Sequence, residues 1–170
     1  GDAHLPSPPQ GTGHAPTGWS ARMSVMADQR MTESERQEFL AGLHVGVLAI
    51  ERADGPPLTL PVWYAYEAGG DVEVLTSASS LKGRLVAAAG RASLCAQQEE
   101  LPYKYVSVEG PVEIDELGDE AKAAVLPMAI RYLGEELGRG YAAGDTASDE
   151  IRIRIRPERW FSVDYAKPSA

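Results

Sequence analysis

The sequence has few of the features that mark secreted or membrane proteins. Its 170 residues contain a single cysteine, Cys95, so an intramolecular disulfide is excluded. The apolar neighbours of Cys95 predict a position in the core, and the lack of a second cysteine fits a reducing compartment. No apolar run approaches the roughly 18 residues that a membrane-spanning helix needs. The N-terminus also lacks the basic and apolar regions of a signal peptide, so we expect a cytoplasmic protein.

Several functional classes are disfavoured by what the sequence does not contain. The net charge of −9 disfavours non-specific binding to nucleic acid. No Cys-x-x-Cys or His-x-x-x-His spacing indicates a metal site, and no Gly-x-Gly-x-x-Gly sequence opens a dinucleotide-binding βαβ unit. We find no catalytic triad or carboxylate dyad, and His44 stands alone at the start of a predicted strand, which indicates a structural role. The sequence therefore names no catalytic residue and no metal ligand.

Residues 1–22 differ in composition from the rest of the chain. They are rich in Pro, Gly, Ser, Thr and His and show no apolar period, which predicts a flexible N-terminal arm. Trp19 within this arm is a candidate to dock on the body of the protein or on a partner chain. With 44% apolar and 24% charged residues overall, the chain has an ordinary globular composition. We expect residues 30–165 to form a single domain.

The predicted elements are mostly short strands. They cover residues 44–51, 58–67, 72–77, 92–99 and 103–115, followed by one or two strands from residue 150. About six short strands separated by turn signals favour a mainly β fold with flanking helices. The pattern favours a closed antiparallel barrel over a parallel sheet.

Helices are predicted between these strands. Thr32 and Glu35 have the spacing of a capping box, which begins a short first helix. Further helical segments are predicted over residues 80–89 and 119–137, and a polar, glycine-containing loop over residues 138–148. Gly90 suits the end of the 80–89 helix, and Pro127 is expected to kink or divide the longer helical region.

Isoleucine and arginine alternate strictly from Ile151 to Arg156. This pattern predicts a strand with one buried face and one cationic face. The arginines either point to water or lie near an anionic ligand or a partner subunit, and the sequence leaves both open. Four tyrosines pose a similar choice between lining an aromatic pocket and packing in the core or at a subunit interface: Tyr64, Tyr66, Tyr103 and Tyr105.

A run of small hydroxyl side chains follows the third predicted strand. Ser77, Ser79 and Ser80 precede Lys82, which lies in the predicted first turn of a helix. Hydroxyls, free backbone N–H groups and one ammonium at a helix N-terminus favour binding of an anion. Alternatively, Ser79 or Ser80 only caps the helix and Lys82 is solvated.

Five segments occur in a characteristic order and spacing. They are LPVWY at residues 60–64, LTSASSLK at 75–82, GRASL at 90–94, YVSVEG at 105–110 and IRPERWF at 155–161. Together they resemble the pyridoxamine-phosphate-oxidase-like split-barrel flavoproteins. Within that superfamily the chain looks most like the actinobacterial branch that uses FMN or its deazaflavin counterpart, coenzyme F420. The resemblance covers about residues 30–165.

The resemblance implies a six-stranded antiparallel split barrel. The barrel would form a homodimer with its cofactor sites at the subunit interface. Pro61, Val62 and Trp63 would lie beside the flavin ring. Thr76 and Ser77 would approach the ring or its ribityl chain.

The resemblance also assigns the remaining cofactor contacts. Ser80 and Lys82 would bind the cofactor phosphate, and Tyr105 occupies a position from which a polar side chain commonly reaches the cofactor. Trp160 would contact the ring from the second subunit. Leu81, beside the phosphate site, replaces the arginine that many FMN-binding relatives carry, and this difference favours the deazaflavin.

The implied activity is that of an FMN- or F420-dependent oxidoreductase acting on a small organic substrate. Pyridoxamine-phosphate oxidase activity itself is disfavoured, because the chain lacks the Arg-x-x-Leu-x-Lys segment that vitamin-forming oxidases carry before the position of Pro61. Flavins perform the hydride chemistry themselves, so the protein would bind, orient and tune the cofactor. Two alternatives with the same fold are a non-catalytic carrier or sensor of flavin, deazaflavin or haem, and a dimeric structural module.

Overall fold

A computed structural model describes residues 29–144 and 148–168. The predicted arm of residues 1–22, with Trp19, lies outside these described residues. The strands are β1 (Gly46–Ile50), β2 (Leu58–Val62), β3 (Ala65–Tyr66), β4 (Val72–Ser77), β5 (Arg91–Gln98), β6 (Lys104–Glu116), β7 (Glu150–Ile155) and β8 (Arg159–Asp164). The helices are α1 (Glu33–Ala41), α2 (Leu81–Ala89), α3 (Ala121–Leu133) and α4 (Glu135–Ala143), with a 3-10 turn at Gly118–Glu120. No described helix is long and apolar enough to cross a membrane.

The strands form one curled antiparallel half-barrel in the order β2-β1-β5-β6-β7-β4-β3, and β8 pairs with β6. The predicted mainly β, antiparallel architecture is confirmed. The pairing does not close into a ring, because β2 and β3 remain at the two ends of the order. Eight strands are described instead of six, because the predicted strand 58–67 breaks at Trp63 and Tyr64 and the C-terminal segment forms two strands.

Strand β6 is shared by two halves of this sheet, one formed with β1, β2, β5 and β8 and the other with β3, β4 and β7. Its residues 104–111 pair with β5, residues 104–109 pair with β8, and residues 112–116 pair with β7. Gly110 lies where the strand passes from one half to the other, and a Cβ atom there would overlap the carbonyl oxygen of Arg156. Only glycine lets the backbone of the β7–β8 connection approach so closely.

The core lies inside the curl of the sheet. Ile151, Ile153 and Ile155 of β7 are buried and the intervening arginines are not, so the predicted two-faced strand is confirmed. Tyr64 is fully buried and its hydroxyl donates to the carbonyl of Leu40 at 2.8 Å, which favours core packing over an aromatic pocket.

The expectation of a core position for Cys95 is wrong. Its neighbours Leu94 and Ala96 are buried, so strand alternation turns Cys95 to the outer face of the sheet, opposite Val47 and Ser107. The apolar neighbours in the sequence indicated burial of the segment, but the period of two decides which side chains are inside.

The first two helices agree with the sequence patterns. Thr32 and Glu35 form the predicted capping box, in which the Thr32 N–H donates to the Glu35 carboxylate at 2.6 Å. Ser80 is the N-cap of α2, and Gly90 ends this helix in the left-handed conformation at φ 63°. The predicted helix over residues 80–89 is therefore confirmed with the alternative role for Ser80, that of a cap.

The prediction for residues 119–148 is wrong about where the helical region divides and where it ends. Helix α3 continues through Pro127, and the chain turns at Gly134, where φ is 81°. Residues 135–143, expected largely as a loop, form α4. A Cβ atom at Gly138 would lie 2.6 Å from the backbone of Ile130, so glycine at this position allows the two helices to pack closely.

Candidate functional site

A cavity of about 580 Å³, called the first cavity below, opens between the sheet and the α3–α4 pair. Its sheet side is formed by Val45, Pro61, Val62, Trp63 and Leu75, and its helical side by Val125, Met128, Ala129 and Tyr141. Two charged residues, Lys82 and Glu150, complete the wall. A cavity of this volume, lined by apolar side chains together with two charged groups, is typical of sites for small molecules.

Trp63 is the aromatic centre of the first cavity. Its ring stacks on Tyr132 of α3 with a centroid distance of 5.1 Å and an interplanar angle of 4°. On α4, Tyr141 meets the same ring at 5.5 Å in a tilted arrangement. Trp63 is therefore held in a fixed position, because helix residues pack against it from two directions.

The hydroxyl of Tyr132 attaches α3 to the edge of the sheet. It accepts a hydrogen bond from the Tyr64 N–H at 3.0 Å and lies 2.7 Å from the carbonyl oxygen of His44 and 3.0 Å from that of Tyr64. These groups belong to the segments that enter β1 and connect β2 with β3. One phenol thereby satisfies backbone groups that the strand pairing leaves free.

Lys82 and Glu150 bring opposite charges to the same wall. In the β4–β7 ladder Glu150 pairs with Ser77, which places the start of β7 beside the N-terminus of α2. Burial lowers the pKa of Lys82, and the nearby Glu150 carboxylate partly offsets this effect. Burial likewise raises the pKa of Glu150, whereas the Lys82 charge lowers it and the Asp149 charge raises it further. The site thus combines an ammonium suited to an anion with a carboxyl group that retains its proton to higher pH than usual.

The hydroxyl run before α2 makes hydrogen bonds within the protein. Ser80 Oγ accepts from the Gly83 N–H at 3.0 Å and donates to the Ser77 carbonyl at 2.7 Å. The carboxylate of Asp149 accepts from the Ser79 N–H at 2.8 Å and from the Ser77 hydroxyl. Hydrogen bonds from Ser79 and Ser77 lower the pKa of Asp149. A carboxylate of the protein itself therefore occupies donors that the sequence assigned to a bound anion.

The structure brings four of the ten predicted cofactor residues to the first cavity. These are Pro61, Val62, Trp63 and Lys82. Thr76 is buried with its hydroxyl 3.2 Å from that of Ser80, and it belongs with Ser77 and Ser80 to the hydroxyl cluster beside the cavity. Leu81 is 49% exposed on the first turn of α2.

Tyr105 and Trp160 lie away from the first cavity. Tyr105 is on β6 with Val163 opposite it on β8. Trp160 packs on its own chain, with its ring 6.1 Å from Tyr66 and with the guanidinium of Arg36 4.8 Å above it. Within one chain, these two side chains do not join the four at the cavity wall.

Sequence reasoning missed several residues of the cavity wall. Val125 and Met128 lie in the segment predicted as helical over residues 119–137, and the apolar residues of that segment are the signal that could have found them. Tyr141 fell in a segment expected to be a loop. Glu150 became visible only through the register of β4 and β7, which no local pattern specifies.

Comparisons with known proteins give the following matches. The pattern of the family described as pyridoxamine 5'-phosphate oxidase matches residues 32–164. No curated protein matches the chain significantly. Among solved structures, the chain is similar to the conserved hypothetical protein Rv2991 from Mycobacterium tuberculosis, with 26% identity and a TM-score of 0.68 over 82% of this chain and 88% of that one.

Two further solved structures share the fold. A protein described as an F420 reductase is 24% identical, with a TM-score of 0.59 over 74% of this chain and 94% of that one. HutZ, the heme storage protein from Vibrio cholerae, is 21% identical, with a TM-score of 0.57 over 78% of this chain and 94% of that one. The same architecture therefore serves proteins with different ligands, and the site has to decide between functions.

Proposed function

This chain belongs to the pyridoxamine 5'-phosphate oxidase family, and on that premise we propose that it is an oxidoreductase using bound FMN or coenzyme F420. The reaction would transfer a hydride between the cofactor and a small organic substrate in the cytoplasm. The observation that carries the proposal is the position of Lys82 on the wall of the first cavity, which Pro61 and Trp63 also line.

The residues of the first cavity fit such a cofactor. Trp63 and Pro61 provide flat apolar contact for a planar ring system, and Lys82 provides the counter-charge for a phosphate group. When bound, the flavin or deazaflavin supplies the hydride chemistry. Leu81, in the place of the arginine found in many FMN-binding relatives, favours coenzyme F420. Thr76, Ser77 and Ser80 are proposed to meet the polar part of the cofactor from the adjacent hydroxyl cluster.

Glu150 favours an enzyme over a carrier. A carrier needs no proton donor, whereas hydride transfer to a substrate is commonly completed by a proton. Burial raises the pKa of Glu150, so its carboxyl group is suited to hold a proton at the wall of the first cavity. We propose Glu150 as the group that exchanges this proton. A haem carrier has less support, because no described residue of the cavity wall is a histidine or cysteine.

A homodimer is proposed through the outer face of the half-barrel. Pro61, Val47, Cys95, Ser107 and Phe161 lie in one row across five strands. Val47 is 40% and Phe161 53% exposed, and an apolar sheet face of this kind is typical of protein interfaces. Because Pro61 belongs both to this face and to the first cavity, a partner on the face would lie beside the cofactor. Tyr105 and Trp160 are proposed to contribute there, Trp160 from the second subunit.

Cofactor titration of the cofactor-free protein tests the proposal. Fluorescence titrations with FMN and with coenzyme F420 are run in parallel, and light scattering measures the molar mass of the protein. We expect a dimer with one saturable cofactor site for each subunit. Lys82→Ala should weaken the affinity by about 1–3 kcal/mol, or roughly 5- to 150-fold, because a charge-assisted hydrogen bond is lost. Lys122→Ala is the matched control, since Lys122 is exposed on α3 and lines no part of the first cavity.

Three results would redirect the proposal. Equal cofactor affinity of the Lys82→Ala variant and the wild type would reject the placement of the phosphate. Tight binding of a reduced cofactor that no small acceptor oxidises would indicate a carrier. A folded protein that binds neither cofactor would support the structural module.

A further inference from the structure

A second cavity of about 510 Å³ lies on the other side of α3. Leu75 and Met128 line both cavities, so they form the wall between them. The rest of its apolar lining is made of small or rigid side chains: Ala65, Ala123, Ala124 and Pro127. Because these side chains are short, α3 passes over β4 and β7 without filling the space beneath it.

Four charged residues complete the second cavity: Glu73, Glu120, Arg131 and Arg152. Arg152 is one of the arginines that alternate with isoleucine in β7, and its Nε lies 3.4 Å from the carboxylate of Glu73. Glu120 is exposed at the rim, where water screens its charge. The charges of Arg152 and Glu73 therefore neutralise each other, and the charge of Glu120 acts only weakly on the cavity.

Arg131 is the charge that remains. Its Nη2 donates to the backbone carbonyls of Ala41, at 2.8 Å, and of Gly42. Within residues 29–144 and 148–168, no carboxylate lies at ion-pair distance from Arg131, and its buried Nε has no hydrogen-bond partner. The positive charge of Arg131 acts on the neighbouring His44: burial lowers the pKa of His44, and the Arg131 charge lowers it further. An incompletely paired guanidinium in a half-buried position is a favourable partner for a carboxylate.

We propose that the second cavity binds a small organic carboxylate with an apolar body. The carboxylate pairs with Arg131, and the apolar part lies against Ala123, Ala124 and Pro127. A cationic ligand is disfavoured, because Glu73 is already paired with Arg152. The site is separate from the proposed redox function, since Lys82, Trp63 and Glu150 line only the first cavity.

The test uses cofactor-free protein and two probes of the same shape. Naphthalene-1-carboxylate and its uncharged amide are titrated into the protein, and NMR chemical shifts give each dissociation constant. We expect saturable binding of the carboxylate that Lys82→Ala leaves unchanged, which separates this site from the first cavity, and at least tenfold weaker binding of the amide. Since the first cavity needs no occupant here, failure of cofactor binding and failure of this proposal remain distinguishable.

Two pairs of variants locate the binding. Ala124→Leu fills the second cavity without changing a charge and should weaken carboxylate binding at least tenfold, whereas Ala88→Leu, at an exposed position of α2, should leave it unchanged. Arg131→Gln should bring the affinities for carboxylate and amide together, whereas Arg139→Gln, at an exposed arginine of α4, should not. Equal affinity for the two probes, or full binding by Ala124→Leu, would overturn the proposal. If Arg131→Gln fails to fold, the result for Ala124→Leu alone decides the test.

Discussion

Replacing Tyr132 by phenylalanine removes one hydroxyl group and should destabilise the whole molecule. The ring that stacks on Trp63 is retained, so the change isolates the hydrogen bonds of the phenol. At any moment this hydroxyl accepts one bond, from the Tyr64 N–H, and donates one, to the carbonyl of either His44 or Tyr64. In the Tyr132→Phe variant, an amide N–H and a carbonyl at the edge of the sheet lose their partner.

The expected loss of stability follows from these two bonds. A net hydrogen bond contributes about 1 kcal/mol, and a buried group left without a partner costs about 1–3 kcal/mol. The Tyr64 amide is partly buried, so its cost is in the lower part of that range. The free energy of unfolding of Tyr132→Phe should therefore fall by about 2–4 kcal/mol.

Urea unfolding measures this difference. Wild type and variant are compared at one protein concentration, because the stability of the proposed homodimer would depend on concentration. Tyr141→Phe is the matched control, since its ring also contacts Trp63 but is 59% exposed, and it should change stability by less than about 0.5 kcal/mol. If Tyr132→Phe lost no more than this control, the hydroxyl would not connect α3 to the sheet as described.

Two further predictions concern the corner of the sheet and the charges of the first cavity. Gly110→Ala should prevent stable folding or lower the midpoint of thermal unfolding severely, because the added Cβ overlaps the carbonyl of Arg156. The control Gly140→Ala has open space around the added Cβ, so it should be neutral or stabilising by up to about 1 kcal/mol. The carboxyl group of Glu150, whose pKa is raised, is neutral below that pKa and negatively charged above it. The affinity of the wild type for the cofactor phosphate should therefore fall, relative to that of Glu150→Gln, as pH rises through the Glu150 pKa. Lys82 and Asp149 flank position 150 in both proteins, so parallel pH profiles of wild type and variant would contradict the assigned repulsion between Glu150 and the phosphate.

Features set by local rules were predictable from the sequence. The capping box of Thr32 and Glu35, the stop at Gly90 and the alternation after Ile151 each depend on residues close together in the chain, and each occurs as predicted. Lys82 was also found locally, because an ammonium in the first turn of a helix after a hydroxyl run is a short-range pattern.

Features set by packing between distant segments were not predictable in this way. Helix α4 contains Gly138, which locally disfavours a helix, yet the same residue lets α4 pack against Ile130 of α3. Tyr141 was lost from the predicted site together with that helix. The pairing of Glu150 with Ser77 depends on strand register over more than seventy residues of sequence separation, so the Lys82–Glu150 arrangement could not be derived from either segment alone.

The sharing of β6 between both halves of the sheet has a consequence for how the chain is completed during synthesis. One half of the sheet needs β8 beside β6 and the other half needs β7, and both strands come from residues 150–164. Neither half can finish its hydrogen bonding until this segment has left the ribosome. Until then, one edge of β6 stays unpaired and is open to non-native pairing. Completion of both halves of the sheet therefore depends on the same late segment of the chain.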